Sequence, residues 1–307
     1  MNRPFVLAHL SDPHLSPIRG LEPRYWNAKR ALGLLNWHRK RRRLHLMPVL
    51  DRLVADLKQQ TPDHIAVTGD LANLGLPGEH EMGLGWLERL GDGGKVSLVP
   101  GNHDIYSDIG RDRGTMRWRA YMRSLPSDVD GNEAAADFPY LRRFGRIAIV
   151  GLCSGMPTPP FVAAGRLGEA QLHRAGVMLK SLAAEGLFRV VLIHHPPLPG
   201  QAPRAKALRD AEDMQQLLRE AGAELVLHGH NHRAMRAVVS GPGAGDVHVL
   251  GVPSASQIDA RPEARAQYNL YRIAEQGTGW RIELTSRGLD PSGRKIIEIA
   301  RSVLRDD

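Results

Sequence analysis

Cysteine is nearly absent from this chain: Cys153 stands alone among 307 residues. A disulfide framework within the chain is therefore excluded, which fits a reducing compartment. Long apolar runs are missing too, since no stretch approaches the roughly 18 residues that a membrane span needs. The opening residues, MNRPFVLAHLSDPHL, show neither a long apolar region nor a small-residue cleavage site. The expectation is an unexported cytoplasmic protein. No repeat of fixed period is visible, nor any linker long enough to separate independent domains. Acidic residues are scarce in one place. Residues 1–50 hold ten Lys and Arg against Asp12 and Glu22, a local excess of +8, which equals the formal charge of the whole chain. Residues 51–307 are therefore neutral, and the broad basic face of a duplex-coating protein is not there.

The excess culminates in His38-Arg39-Lys40-Arg41-Arg42-Arg43, flanked by Trp26 and Trp37. A solvated helix face is the plain reading. An anion-facing feature is the second, and a contact with a membrane surface or lipid head group through residues 26–43 is the third.

Apolar residues make up 42% of the chain, enough for a substantial core. Phe5–Leu10, His64–Thr68, Lys95–Val99, Arg146–Leu152, Phe188–Ile193 and Glu224–His228 read as buried strands. Between them lie helical faces, such as Leu50, Leu53, Val54 and Leu57 behind Pro48, which suits a first helical turn. Leu172, Ala175, Leu179 and Leu182 share another face, and Met214, Leu217, Leu218 and Ala221 a third. Residues 24–46 are compatible with either a basic helix or a hairpin. Beyond about residue 233 the segments 234–239, 247–252, 267–273 and 279–285 are strand-like with little helix between them. Two packed sheets flanked by helices satisfy this order, which is α/β at first and β at the end. The stretches 153–166, 196–204 and 241–245 read as surface loops.

Polar residues of the metal-binding type stand where those strands end: Asp12-x-His14, Gly69-Asp70, Gly101-Asn102-His103-Asp104, His194-His195 and Gly229-His230-Asn231-His232. Loops beyond the carboxyl ends of strands are where such sheets assemble sites. Carboxylates, an amide oxygen and imidazoles form a mixed set that suits Mn, Fe, Zn or Co better than Ca or Mg. The number of ligands exceeds what one ion needs. Two ions about 3.5–4 Å apart, sharing a carboxylate, would use them all, which is the geometry of phosphoester hydrolysis.

In order and spacing these motifs, with Pro196-Pro197 after His194-His195, resemble the calcineurin-like metallophosphoesterases, and especially the class III cyclic-nucleotide phosphodiesterases. The resemblance spans residues 5–232. It implies a four-layer αββα sandwich with two mixed β-sheets flanked by helices, formed by residues 1–307 as one domain carrying a basic insertion at about 16–47. It further implies two divalent or trivalent transition-metal ions (Mn, Fe or Zn). Asp12, His14 and His232 would hold the first, Asn102, His194 and His230 the second, and Asp70 would bridge them. His195 is the substitute for His194. A metal-bridging hydroxide would attack a small phosphodiester such as a cyclic nucleotide, and His103 would protonate the leaving oxygen. Asp104 would orient His103 or a ligand.

The remaining histidines receive no role: His228 reads as a packed core residue, His9, His64 and His248 sit in strand-like stretches, and His38, His45, His80 and His173 lie among polar neighbours. Ser11 has no base partner outside the metal-type residues and Ser254 sits in a plain Val-Pro-Ser-Ala-Ser strand end, so neither is read as a nucleophile. Against the smaller family members, the 55 residues between His14 and Asp70 are long and contain the whole basic segment. The histidine after Asn102 stands where the lipid-A-pathway hydrolases carry arginine. A hydrolase of a lipid-linked nucleotide pyrophosphate or other phosphoester at a membrane surface is the alternative function. A binding scaffold without metal is the non-enzymatic one, and the retention of every ligand and of His103 speaks against it. A homodimer is a candidate assembly.

Overall fold

In this computed structural model, residues 3–125, 138–242, 245–277 and 279–306 are described. The apolar runs β1 (Phe5–Leu10), β2 (His64–Val67) and β3 (Val96–Leu98) pair in parallel. On the other side of β1, β10 (Gln267–Gln276) pairs antiparallel and is followed by β11 (Gly279–Leu289) and β12 (Ile296–Asp306). This gives a mixed sheet of order β12-β11-β10-β1-β2-β3. The second sheet has the order β4-β5-β6-β7-β9-β8. Its strands are β4 (Tyr140–Phe144), β5 (Ile147–Gly151), β6 (Phe188–Leu192), β7 (Leu225–His228), β8 (Met235–Ser240) and β9 (Asp246–Gly251). The strand run after residue 233 thus divides between the two sheets.

The period-2 alternation of β5 shows how the layers stack. Ile147 and Ile149 face the core shared with the first sheet, whereas Ala148 and Val150 face helices α5 (Glu169–Ala184) and α6 (Ala211–Ala221). Leu179, Leu182, Met214 and Leu218 complete that outer core. On the first sheet, α3 (Met47–Gln59) lays Leu50, Leu53 and Leu57 against β10–β12, with Pro48 in its first turn as expected. The helix α4 (Pro77–Leu90) carries Glu79, whose buried carboxylate accepts the backbone N–H groups of Asn73, Leu74 and Leu76. The result is the expected four-layer αββα sandwich.

Two strands mix apolar with charged residues and lack a clean alternation. Of β12 only Leu304 is buried, and β4 contains Arg142 and Arg143. Arg142 is buried because its guanidinium donates to the carbonyls of Val96, at 2.7 Å, and Ala120, at 2.8 Å, and also to that of Gly93.

The insertion is helical. Asn27 caps α1 (Ala28–Asn36) by accepting the Arg30 N–H at 2.9 Å, and the chain continues through a π turn (Trp37–Arg41) into the short α2 (Arg42–Leu44). Two of its cations are internal. Lys29 donates to the Tyr106 carbonyl at 2.8 Å and to Thr158 Oγ1 at 2.7 Å. Arg30 donates to the carbonyls of Tyr25, Leu74, Gly75, Ser107 and Asp108, fastening the insertion to the loops after β2 and β3.

Replacing Arg30 with Met would leave those carbonyls without their donor, and a buried unsatisfied group costs about 1–3 kcal/mol. Arg30→Met should lower stability in urea unfolding by at least about 2 kcal/mol and open residues 19–45 to limited proteolysis. An unchanged midpoint and digestion pattern would remove Arg30 as the anchor.

Candidate metal centre

Each motif follows the carboxyl end of a parallel strand, so the two sheets deliver them to one rim: Asp12 and His14 after β1, Asp70 after β2, Asn102 to Asp104 after β3, His194 and His195 after β6, and His230 and His232 after β7. Glycines allow the close approach. A Cβ at Gly101 would lie 2.8 Å from the Asp70 backbone nitrogen and overlap its carboxylate, and one at Gly229 would overlap Ser11 and Asp12. The backbone itself is unusual here. Asp12, His14, Asp70, His230 and His232 all have φ between 41° and 69°, whereas among the other described residues only Thr61 and Phe161 are non-glycine with positive φ. Left-handed conformations at such residues cost about 1–3 kcal/mol each and concentrate at functional sites.

The ring nitrogens can be assigned by elimination. His14 Nδ1 lies 3.1 Å from the Ala72 carbonyl and His194 Nδ1 2.6 Å from the Thr68 carbonyl, so both donate there and turn Nε2 to the interior. His232 Nδ1 is likewise engaged by Gln257 Oε1 at 3.0 Å. The inward Nε2 atoms of His14 and His232 face each other at 3.2 Å, with Asp12 Oδ1 3.1 Å from the latter. In the neutral form of the two rings, with Nδ1 donating outward, acceptors meet acceptors there. A cation satisfies such a set, as outward-bonded imidazoles do in metal sites. A second group stands alongside: His194 Nε2 is 3.2 Å from Asn102 Oδ1, which is 2.9 Å from His230 Nδ1. Asp70 lies between the groups, Oδ2 being 3.4 Å from His194 Nε2 and 3.9 Å from His14 Nε2.

Electrostatics show the same demand for positive charge. Burial alone would raise the Asp70 carboxyl, but His194 and His103 hold it well below the usual carboxylate range. Burial likewise disfavours the His194 imidazolium, yet the charge and hydrogen bond of Asp70, with Asp12 behind, raise it to about 9.

His195 is not brought into this set. Its Nδ1 meets Ser154 Oγ at 2.7 Å and its Nε2 the Ala163 carbonyl at 3.1 Å, so both nitrogens are engaged elsewhere. His103 is fixed by its Nδ1 donating to the Asn73 carbonyl at 2.6 Å, while its backbone N–H donates to Asp70 Oδ1 at 2.7 Å. Burial and the nearby Arg41 charge depress its pKa to about 3. Asp104 does not hold the His103 ring. Its carboxylate accepts the N–H groups of Asp70, Ala72 and Gly101 at 2.8–2.9 Å and thereby fixes the backbone that presents Asp70. Burial and the charge of Asp70 push its pKa up to about 7. Ser254 has a similar task, donating to the Asp12 carbonyl at 2.6 Å. His228 is buried, with Nδ1 against the Gly229 carbonyl.

Two residues of the site were not identified from the sequence. His45 is buried, its ring 4.7 Å from that of His14 and 5.3 Å from that of His232, and with them it forms a cluster able to hold a metal ion. Asp12, His14 and Asp70 form another. Arg41 reaches the site from the π turn, with Nη1 3.3 Å from His103 Nδ1. The centre opens into a cavity of about 560 Å³ whose wall includes Lys40, Arg41, Lys206, Arg233 and Arg261. A larger cavity of about 760 Å³ behind the insertion contains no histidine and none of the site's carboxylates.

The calcineurin-like phosphoesterase family matches residues 5–234. Over 244 residues, 77% of this chain, the sequence is 26% identical to a cAMP/cGMP dual specificity phosphodiesterase of Mycobacterium tuberculosis. The match spans 64% of that protein, less than two thirds of its length. A probable cyclic nucleotide phosphodiesterase of Synechococcus is 25% identical over 232 residues, covering 75% of this chain and 78% of the relative. Among solved structures, a dimetal phosphatase of Danio rerio superposes with a TM-score of 0.57 at 14% identity, covering 98% of this chain and all of that one, a likeness of fold.

Gly101→Ala should force the Asp70 carboxylate out of its place while leaving the rest of the sheet intact. Thermal unfolding is expected to fall by several degrees, about 2–4 °C per kcal/mol for a chain above 150 residues. A crystal structure of the variant with Asp70 unmoved would contradict the close-packing argument.

Proposed function

We propose, for a chain that belongs to the calcineurin-like phosphoesterase family, that its site hydrolyses a small phosphodiester such as a cyclic nucleotide at a pair of Mn, Fe or Zn ions. The facing Nε2 atoms of His14 and His232, with Asp12 and Asp70 beside them, carry this reading. Asp12, His14 and His232 hold one ion, Asn102, His194 and His230 the other, and Asp70 lies between and serves both. Bound there, the pair supplies Lewis-acid neutralisation of a phosphoryl group and activation of water.

The chain's own residues then divide the work. The carbonyls of Thr68 and Ala72 keep the His194 and His14 rings turned inward, and Asp104 keeps Asp70 in place through the backbone. His103 stands outside both ligand groups. With Nδ1 committed to Asn73, only its Nε2 can face a substrate, and in the imidazolium form that nitrogen donates a proton to the leaving oxygen. Burial and the charge of Arg41 disfavour the cationic form of the free ring. The relatives named as cyclic nucleotide phosphodiesterases support the substrate class.

A second reading has its own observation. Leu21, Trp26, Leu32 and Leu35 are exposed at 40–45% on the insertion, beside the exposed Arg39, Arg42 and Arg43. Apolar and cationic residues combined in this way suit a membrane surface, where a lipid-linked pyrophosphate would be the substrate.

Asp70→Asn should weaken both ions, and elemental analysis still giving two per chain with activity near wild type would remove the bridging role. His103→Ala should keep the metal and lose about 10²–10⁴-fold in turnover of 2′,3′- and 3′,5′-cyclic nucleotides. The loss should be smaller for bis-p-nitrophenyl phosphate, whose leaving group needs no proton. Equal losses on both would make His103 a phosphate-positioning group. Sedimentation with anionic liposomes, run beside a panel that includes a lipid pyrophosphate, separates the second reading from the first. Binding together with preference for the pyrophosphate favours the second, and neither leaves the small diester.

A further inference from the structure

The basic run does not form one face. Arg39, Lys40, Arg42 and Arg43 are exposed, Lys40 at the cavity wall, whereas Arg41 is half-buried and lines the cavity together with Asp70, Asn102 and His103. The π turn accounts for the difference. An extra residue in one turn rotates the succeeding residues by roughly 100° relative to an unbroken α-helix, and such turns recur at functional sites. Here the π turn ends at Arg41.

The Arg41 guanidinium meets no acceptor suited to it. Its Nη1 approaches His103 Nδ1 at 3.3 Å, but that nitrogen spends its hydrogen on the Asn73 carbonyl at 2.6 Å and has no lone pair to offer. Among the described residues no carboxylate lies within ion-pair distance of it. Arg261 in the same cavity shows the contrast, being held by both oxygens of Asp259 at 2.8 and 3.0 Å. A partly buried cation with no carboxylate in contact is costly, and an anion entering the cavity would relieve it. Lys29 and Arg30, fastened to carbonyls of the neighbouring loops, keep the helix that carries Arg41 seated over the site.

We propose that Arg41 is a substrate-binding residue whose guanidinium fork grips the non-bridging oxygens of the phosphoryl group beside His103, so that the insertion completes the active site. This rests on the phosphoester reading above. Planar bidentate donation to phosphate is what arginine provides and lysine does not.

The test uses the full chain and inorganic phosphate as the probe. Wild type, Arg41→Gln, Arg41→Lys and the exposed-residue control Arg42→Gln/Arg43→Gln are compared for metal content, for phosphate affinity by calorimetry, and for kcat and KM on bis-p-nitrophenyl phosphate. Arg41→Gln should keep its metal and lose at least about tenfold in phosphate affinity, with KM raised by a similar factor. Arg41→Lys should recover part of the phosphate affinity, and the control should stay within about twofold of wild type. Phosphate affinity and KM unchanged in Arg41→Gln, or phosphate affinity lowered as much in the control, would overturn the assignment. If Arg41→Gln fails to fold, Arg41→Lys decides: a severalfold weakening of phosphate upholds the fork, and wild-type affinity overturns it. A wild type that hydrolyses no phosphodiester with Mn, Fe or Zn would refute the functional reading, while the phosphate titrations would still decide for or against Arg41.

Discussion

Two imidazole nitrogens and two carboxylates crowded toward one another in a buried rim are the constraint on which the rest of this molecule depends. The arrangement is unfavourable by itself, and it is held because each side chain is bound from behind. Backbone carbonyls of Ala72 and Thr68 hold His14 and His194, Gln257 holds His232, and backbone N–H groups of His103 and His230 meet Asp70 and Asp12. Five of the site residues also sit in the left-handed backbone region. At about 1–3 kcal/mol each, this strain is comparable to the whole stability of a typical domain. The packing of the two sheets and their helices offsets it, and ions at the proposed site would add to that.

The same constraint shapes the histidine chemistry. Fourteen histidines in the chain offer many ligands, but the hydrogen-bond partners sort them. A ring whose Nδ1 is fixed by a carbonyl turns Nε2 inward, and a ring engaged at both nitrogens, as His195 is, becomes part of the wall. His103 shares the first pattern, with the Asn73 carbonyl at its Nδ1, yet has a different place. It stands outside the ligand groups and shares the cavity with Arg41.

How much of the site is legible in the sequence depends on where each signal resides. Asp12, His14, Asp70, Asn102, His194, His230 and His232 follow apolar strands within a few residues, so local pattern and loop position are enough to nominate them. The choice between His194 and His195 is not local, because it turns on Ser154 and Ala163, which lie 41 and 32 residues from His195. His45 and Arg41 escape for a related reason. Both belong to an insertion whose composition resembles a solvated surface, and its anchoring by Lys29 and Arg30 together with the π turn places them inward. Strands β4 and β12 carry charged residues at positions where an apolar alternation would mark a strand, since one lies at the edge of each sheet. Asp104 is adjacent to His103 in sequence, whereas its carboxylate serves the loop backbone of Asp70, Ala72 and Gly101.

The insertion therefore joins the fold to the proposed chemistry: the sheets present the proposed ligands, and the insertion between β1 and β2 adds a cation and a further histidine to the same cavity. The most direct test of the central claim is an anomalous-diffraction map of the wild-type crystal soaked in manganese. Two peaks about 3.5–4 Å apart are predicted, one against Asp12, His14 and His232 and the other against Asn102, His194 and His230, with Asp70 reaching both. A single peak, or ions bound elsewhere with the His14 and His232 nitrogens still facing each other, would contradict the dinuclear centre.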